Sequence, residues 1–144
     1  MFIAITPQVS VAPQIDPAQV ADAAAQGFRT IVNNRPDGEA FDQPAGAAIE
    51  AACAAAGLAY VAIPIDHTGF NLEQVQAMAA AMDAAEKNGG PVLAFCRSGT
   101  RSCNLWALAE ASRGGDPQAI IAAAGRGGYN VAGLQPLLKQ LAGG

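Results

Sequence analysis

The pattern of apolar and polar positions changes period several times along the chain, and each change is punctuated by a start or stop signal. Asp16-Pro17 offers an N-cap followed by a proline at the first helical position, and Gly27 stands where that helix ends, which predicts a helix over Pro17 to Gln26. Phe28-Arg29-Thr30-Ile31-Val32-Asn33 is rich in β-branched and aromatic residues and reads as a strand closed by the turn Arg35-Pro36-Asp37-Gly38. Pro44 to Ala56 is an alanine-rich helix ended by Gly57, and a second strand follows over Leu58 to Ile65. The third helix is the best marked: Asn71 caps it with Gln74 in the capping-box position, Leu72, Val75, Ala79 and Met82 form an apolar stripe, and Asn88-Gly89-Gly90 stops it. Pro91-Val92-Leu93-Ala94-Phe95 is a short unbroken apolar run, the kind that is buried on both faces of a parallel sheet. Helices are then expected from about Ser102 to Ser112, from Asp116-Pro117 to Gly125, and around Leu134 to Leu141.

Strands alternating with helices imply right-handed crossovers, so the expected fold is α/β, one domain over residues 1–144 with a mainly parallel central sheet flanked by helices. Thr6 to Ile15 adds an edge strand, its pairing limited by Pro7 and Pro13. There is no internal repeat and no low-complexity linker.

Composition narrows the function. With 144 residues, 51% of them apolar, the chain can build a single packed core. A formal charge of −4 argues against nucleic acid or an acidic membrane surface as a partner, since both require a basic face. Six of the eight basic residues are arginine, however, the side chain suited to two-pronged recognition of oxyanions. Cys53, Cys96 and Cys103 form an odd set, Met1-Phe2-Ile3-Ala4 lacks the basic start of a secretory signal, and Glu50 and Gly57 interrupt the apolar stretch from Ala45 to Tyr60, so a cytoplasmic protein with reduced thiols is expected. A single histidine, His67, and no closely spaced cysteine pair leave no support for a metal centre, and no cofactor is expected.

The chemistry concentrates where the apolar run ends, at Cys96-Arg97-Ser98-Gly99-Thr100-Arg101-Ser102. A turn between a strand end and a helix start wraps backbone N–H groups around the point where the helix aims its partial positive charge, which makes an anion site. Gly99 permits a positive φ in that turn, Arg101 can grip two oxygens at once, and Arg97, Ser98, Thr100 and Ser102 add further donors. Cys96 is expected at the mouth of this nest. An ordinary thiol is only about 3% thiolate at neutral pH, whereas helix N-termini and arginine neighbours favour the charged form. The spacing Gly-x-x-x-x-Gly-Lys-Ser/Thr of nucleotide-binding loops is absent.

The string Phe95-Cys96-Arg97-Ser98-Gly99-Thr100-Arg101-Ser102 resembles the active-site loop of rhodanese-type sulfurtransferases, where the cysteine carries a persulfide. The chain as a whole resembles a different group. Gly27-Phe28-Arg29-Thr30-Ile31-Val32-Asn33-Asn34-Arg35-Pro36-Asp37-Gly38-Glu39, then Ala56-Gly57-Leu58 with Tyr60 and Ile63-Pro64-Ile65-Asp66, and the loop itself are similar to the bacterial beta-lactamase-hydrolase-like protein, phosphatase-like domain family. That resemblance implies a fold like that of dual-specificity tyrosine phosphatases; its members are often labelled sulfur transferases. It also implies a general acid at Asp66. Phosphatases of this fold hold one more residue between cysteine and arginine and a histidine before the cysteine; here four residues separate Cys96 from Arg101, and Phe95 precedes Cys96. In the resemblance, the shorter loop suits a bound sulfane sulfur better than a phosphate ester.

Other residues carry two readings. Asp66 is either the general acid or a surface aspartate that caps the turn before Gly69, and His67 is a surface histidine or a pocket residue. Arg35, at the carboxyl edge of the sheet, lines the pocket or pairs with Asp37 or Glu39. Cys103 packs its helix or acts as a resolving thiol, and Tyr129, between Gly128 and Asn130, rims the site or is an ordinary loop tyrosine, while Cys53, Leu105, Trp106 and Leu108 read as core. The leading functional expectation is a persulfide-forming sulfurtransferase acting through Cys96 on a small oxyanion or persulfide substrate and a thiol acceptor. Its rivals are a cysteine phosphatase, with Arg101 on the equatorial oxygens and Asp66 as acid, and a non-catalytic oxyanion-binding module.

Overall fold

In the computed structural model, which describes residues 1–143, five short strands form one sheet in the order β1-β2-β5-β3-β4. They are β1 (Ile3–Thr6), β2 (Val9–Ala12), β3 (Thr30–Asn33), β4 (Ala59–Ala62) and β5 (Val92–Phe95). Only the β1–β2 pairing is antiparallel; β2, β5, β3 and β4 run parallel to one another. The helices are α1 (Pro17–Ala25), α2 (Gly46–Ala56), α3 (Leu72–Lys87), α4 (Thr100–Ser112), α5 (Pro117–Arg126) and α6 (Gln135–Gly143), the last preceded by a 3₁₀ turn at Ala132–Leu134.

The unbroken apolar run takes the central position, between β2 and β3, because it can be buried on both sides. Its side chains alternate: Val92 and Ala94 join the core under α3 to α6, while Leu93 and Phe95 join a second core under α1 and α2. Phe95 and Trp106 are both 1% exposed, each contributing about 2–3 kcal/mol of apolar burial. The capping boxes form as read at Asn71 and Gln74, and an additional one forms at Asp16 and Gln19. Leu105, Trp106 and Leu108 of α4 are buried, and so is Cys53 of α2, whose thiol burial pushes up to about 11.

Two expectations need correction. The segment from Thr6 to Ile15 does not supply an edge strand: β2 is interior, paired to β5, and the edge is β1, whose proline-flanked turn at Pro7 lies outside both strands. A two-strand antiparallel ribbon at the sheet margin leaves Pro7 in its turn, where no ladder bond is required. Leu72 is 59% exposed and lies off the α3 stripe, which is carried instead by Val75, Met78, Ala81, Met82 and Ala85. A first-turn position outside the packed face leaves its side chain in solvent.

Candidate active site

All parallel strands point their carboxyl ends at one edge of the sheet, the edge where open α/β folds bind ligands. Cys96 follows directly from β5 there, and α4 starts at Thr100, two residues earlier than its sequence signals suggest. The reversal is made by Gly99, whose φ of 90° lies in the left-handed region that a side chain disfavours. The thirteen-residue α4 therefore aims its N-terminus back across the loop, and Arg101 sits in its first turn.

Cys96 itself is fully buried, so it forms the floor of the loop instead of standing at its mouth. Its neighbouring amide does face it: the Gly99 N–H donates to Sγ at 3.1 Å. Among the anion-binding candidates, Arg97, Ser98 and Thr100 lie at the exposed rim, where the Ser98 hydroxyl donates to the Thr100 hydroxyl at 3.0 Å. Ser102 turns the other way. Its hydroxyl is buried and donates to Asn34 Oδ1 at 2.8 Å, so it braces the loop and offers no free proton to an anion.

That brace identifies a residue the sequence reading passed over. Asn34 is fully buried; its N–H donates to Phe95 O at 2.8 Å and its Nδ2 to Ile63 O at 2.9 Å, while its carbonyl accepts from Ile65 N at 2.9 Å. One residue, through its side chain and both of its backbone groups, thus ties the ends of β3, β4 and β5 to the start of α4. The available signal was a polar pair, Asn33-Asn34, following the apolar Ile31-Val32 of a strand, because buried polar groups persist only when paired.

Glu39, considered above only as a partner of Arg35, has a second role. Its carboxylate takes both prongs of Arg101, at 2.6 Å to NH1 and 2.9 Å to NH2, and also the Nε of Arg35 at 2.9 Å. Arg101 donates further to Ile65 O at 2.7 Å, and Arg35 to Gln14 Oε1 at 3.1 Å. Arg101 is also held in its charged form, first by Glu39 and to a smaller degree by Cys96. Of the two partners considered for Arg35, Glu39 is the one taken; Asp37 accepts instead from the Gly46 amide at 2.8 Å, at the start of α2. Arg35 also lines a cavity of about 110 Å³ with Asn33, Asp37 and Tyr60.

The Arg101 hydrogen bonds hold the Glu39 carboxyl at about 2, well below its ordinary 4.5, with burial opposing and Arg35 reinforcing. Because the folded value is the lower one, the ion pair stabilises the fold fully above about pH 5, and that contribution drains away as pH falls through 4.5 towards 2. Glu39 has 28% of its side chain exposed, so the contribution is discounted for solvent to about 1–2 kcal/mol. Glu39→Gln is expected to lose that much stability in urea unfolding at pH 7, the deficit shrinking towards nothing near pH 2; a deficit independent of pH would contradict the ion-pair account.

Asp66 and His67 lie on an exposed loop next to Ile65. Asp66 Oδ1 accepts from the Thr68 amide at 2.9 Å and hydroxyl at 2.5 Å, and these bonds hold its carboxyl below the usual aspartate range. In this arrangement Asp66 closes its own turn. Cys103 is fully buried in α4, and burial pushes its thiol up to about 12. Of the two readings of Tyr129, the rim of the site is the one taken: its hydroxyl donates to Ser98 O at 3.1 Å. Among the described residues no cluster of His, Cys, Asp or Glu could hold a metal ion, and no helix is long and apolar enough to cross a membrane.

A parallel sheet whose central strand delivers a cysteine to a loop, a helix N-terminus and an arginine defines a phosphatase-like α/β domain. Solved structures agree with that architecture. A candidate phosphatase from Neisseria meningitidis Z2491 superimposes with a TM-score of 0.79 at 29% identity, covering 96% of each chain. Tk-PTP in its active form does so with a TM-score of 0.76 at 21% identity, over 99% of this chain and 96% of its own, a likeness of fold. The chain belongs to the family described as beta-lactamase hydrolase-like protein, phosphatase-like domain, whose model matches residues 1–113. The beta-lactamase hydrolase-like protein of Xylella fastidiosa strain Temecula1 is 37% identical over 109 residues, 76% of this chain. The chain spans 25% of that relative's length.

Proposed function

We propose that this domain is a cysteine-dependent enzyme whose Cys96 forms a persulfide. The Cys96 thiolate attacks the outer sulfur of an anionic donor such as thiosulfate; the donor S–S bond breaks and sulfite leaves with the electron pair. An acceptor thiolate then attacks the outer sulfur of the Cys96 persulfide, forming a new persulfide and restoring the Cys96 thiolate, so no external oxidant or reductant is consumed. The observation that carries this reading is the contact of the Gly99 N–H with Cys96 Sγ at the N-terminus of α4, whose first turn carries Arg101. Loop amides and Arg101 would hold the charged donor and leaving group. Because Cys96 is buried and Arg101 is tied to Glu39, a donor reaches the sulfur by displacing Glu39 from the Arg101 fork. Unpaired Cys53, Cys96 and Cys103 suit a reducing, cytoplasmic setting, and neither a metal nor an organic cofactor enters the scheme.

Mass spectrometry after incubation with thiosulfate or glutathione persulfide tests it: a gain of one sulfur atom on Cys96 is expected, and an unmodified Cys96 would sink the proposal.

The fold favours a second reading, a phosphatase-like hydrolase in which Cys96 attacks phosphorus and Asp66 protonates the leaving group. Asp66→Asn separates the two. With Asp66 exposed and committed as a carboxylate to Thr68, sulfur transfer in the variant is expected to stay within about twofold of the parent, since surface changes away from the reacting atoms have small effects. Hydrolysis of an aryl phosphate that fell by about a hundredfold in the same variant would favour the hydrolase.

A further inference from the structure

Cys96 and Tyr129 are joined by a single peptide group. The Ser98 carbonyl accepts the Tyr129 hydroxyl at 3.1 Å, and the N–H of the next residue, Gly99, donates to Cys96 Sγ at 3.1 Å. Ser98 C=O and Gly99 N–H are the two ends of one trans peptide, so they point in opposite directions, and whatever holds the oxygen aims the hydrogen. We infer that Tyr129 is a positioning residue for Cys96: it pins the Ser98–Gly99 peptide so that its N–H stays on the sulfur, and it polarises that peptide into a better donor.

The pin is needed because the residue after this peptide has a φ of 90°, where glycine moves freely between conformations and the preceding peptide can flip. It is also a close fit. A Cβ at Gly99 would lie 2.3 Å from the Tyr129 hydroxyl, so loop and phenol are packed with no room between them. Tyr129 is anchored in turn, its N–H donating to Ala124 O at 2.9 Å at the end of α5 and its ring packed against the core that holds Cys103 and Trp106. Hydrogen bonds in series strengthen one another, and a donor to the carbonyl end makes the amide end more positive. Tyr129 lies beyond residues 1–113, so the loop of the family-matched segment is braced from outside it.

The ionisable groups around Cys96 are Arg101 and Cys103 on α4 and Tyr129, with Glu39 behind Arg101. Burial, and then the charges of Cys103 and Cys96, push the Tyr129 phenol above its usual range, so its proton is present to donate at neutral pH. The Cys103 thiol, at about 12, and the Cys53 thiol, at about 11, stay silent towards alkylation below about pH 9.

This inference rests on Cys96 being the reactive thiol, and its test is independent of sulfur transfer. The rate of Cys96 alkylation by iodoacetamide is measured against pH for the parent and for Tyr129→Phe, which keeps the ring and removes only the donor. The midpoint is expected to move up by about half a unit to one unit, with alkylation at pH 7 about three- to tenfold slower, the effect of one lost hydrogen bond. Biosynthetic replacement of Tyr60 and Tyr129 by fluorotyrosine, a stronger donor, moves the midpoint the other way and needs no destabilising change. Unmoved midpoints in either preparation would overturn the role of Tyr129; a parent protein whose Cys96 is not alkylated at all would overturn the reactive-thiol reading, and this inference with it.

Discussion

Serine in place of Cys96 is expected to abolish the proposed sulfur transfer and any phosphoester hydrolysis, a loss of at least about a thousandfold, because an alcohol is neither ionised near neutrality nor able to carry a sulfane sulfur. The fold survives the change. A serine hydroxyl can still accept the Gly99 N–H that Cys96 Sγ accepts at 3.1 Å, so burial of one hydroxyl costs about 1 kcal/mol. The measurement is turnover together with the denaturant midpoint; retained transfer in a folded Cys96→Ser protein would refute every mechanism in which this sulfur is the nucleophile.

Arg101→Lys is expected to lower turnover by about a hundredfold although the charge is kept. The guanidinium binds both Glu39 oxygens and Ile65 O, at 2.6, 2.9 and 2.7 Å. Lysine offers a point charge without the planar fork, so it cannot satisfy a carboxylate and a carbonyl in that geometry and present a flat donor face to an incoming oxyanion. The loss should appear in transition-state stabilisation, as a fall in kcat/KM that added substrate does not recover. An Arg101→Lys protein within a few-fold of the parent would mean that charge alone is required.

The elements were legible where local chemistry sets them. Asn71 with Gln74 and Asp16-Pro17 mark helix starts by side chains that satisfy the first free amides, and both helices begin there. Val92 to Phe95 announced its place between two strands by lacking any polar position. The loop after it was legible for the same reason: cysteine, glycine and arginine at that spacing have few other uses. The N-terminal strands were not, because a proline near a strand says that pairing is limited without saying on which side the limit falls.

The site was less legible than the fold. Ser102 and Asn34 stand 68 positions apart, and Glu39 and Arg101 stand 62 apart. A serine in a donor-rich loop offers a hydroxyl to an anion or to a buried amide oxygen with equal local propriety, and only the close approach of β3 to the start of α4 selects the second. Glu39 was legible as a partner of Arg35 within its own turn, and only the fold brought Arg101 to it as well. Tyr129, between Gly128 and Asn130, could be read as a rim residue, but which loop atom it holds was set by the fold.

The order of residues therefore determined the helices, the mainly parallel sheet and the place of the cysteine loop, because caps, periodicity and loop composition act over a few positions. Only the tertiary structure decided that Cys96 is the floor of its loop, that Glu39 fills the Arg101 fork and that Tyr129 pins the peptide above the sulfur. Those facts depend on which side chains arrive at the same edge of the sheet from distant segments, and that is set by packing of the whole core rather than by any local stretch.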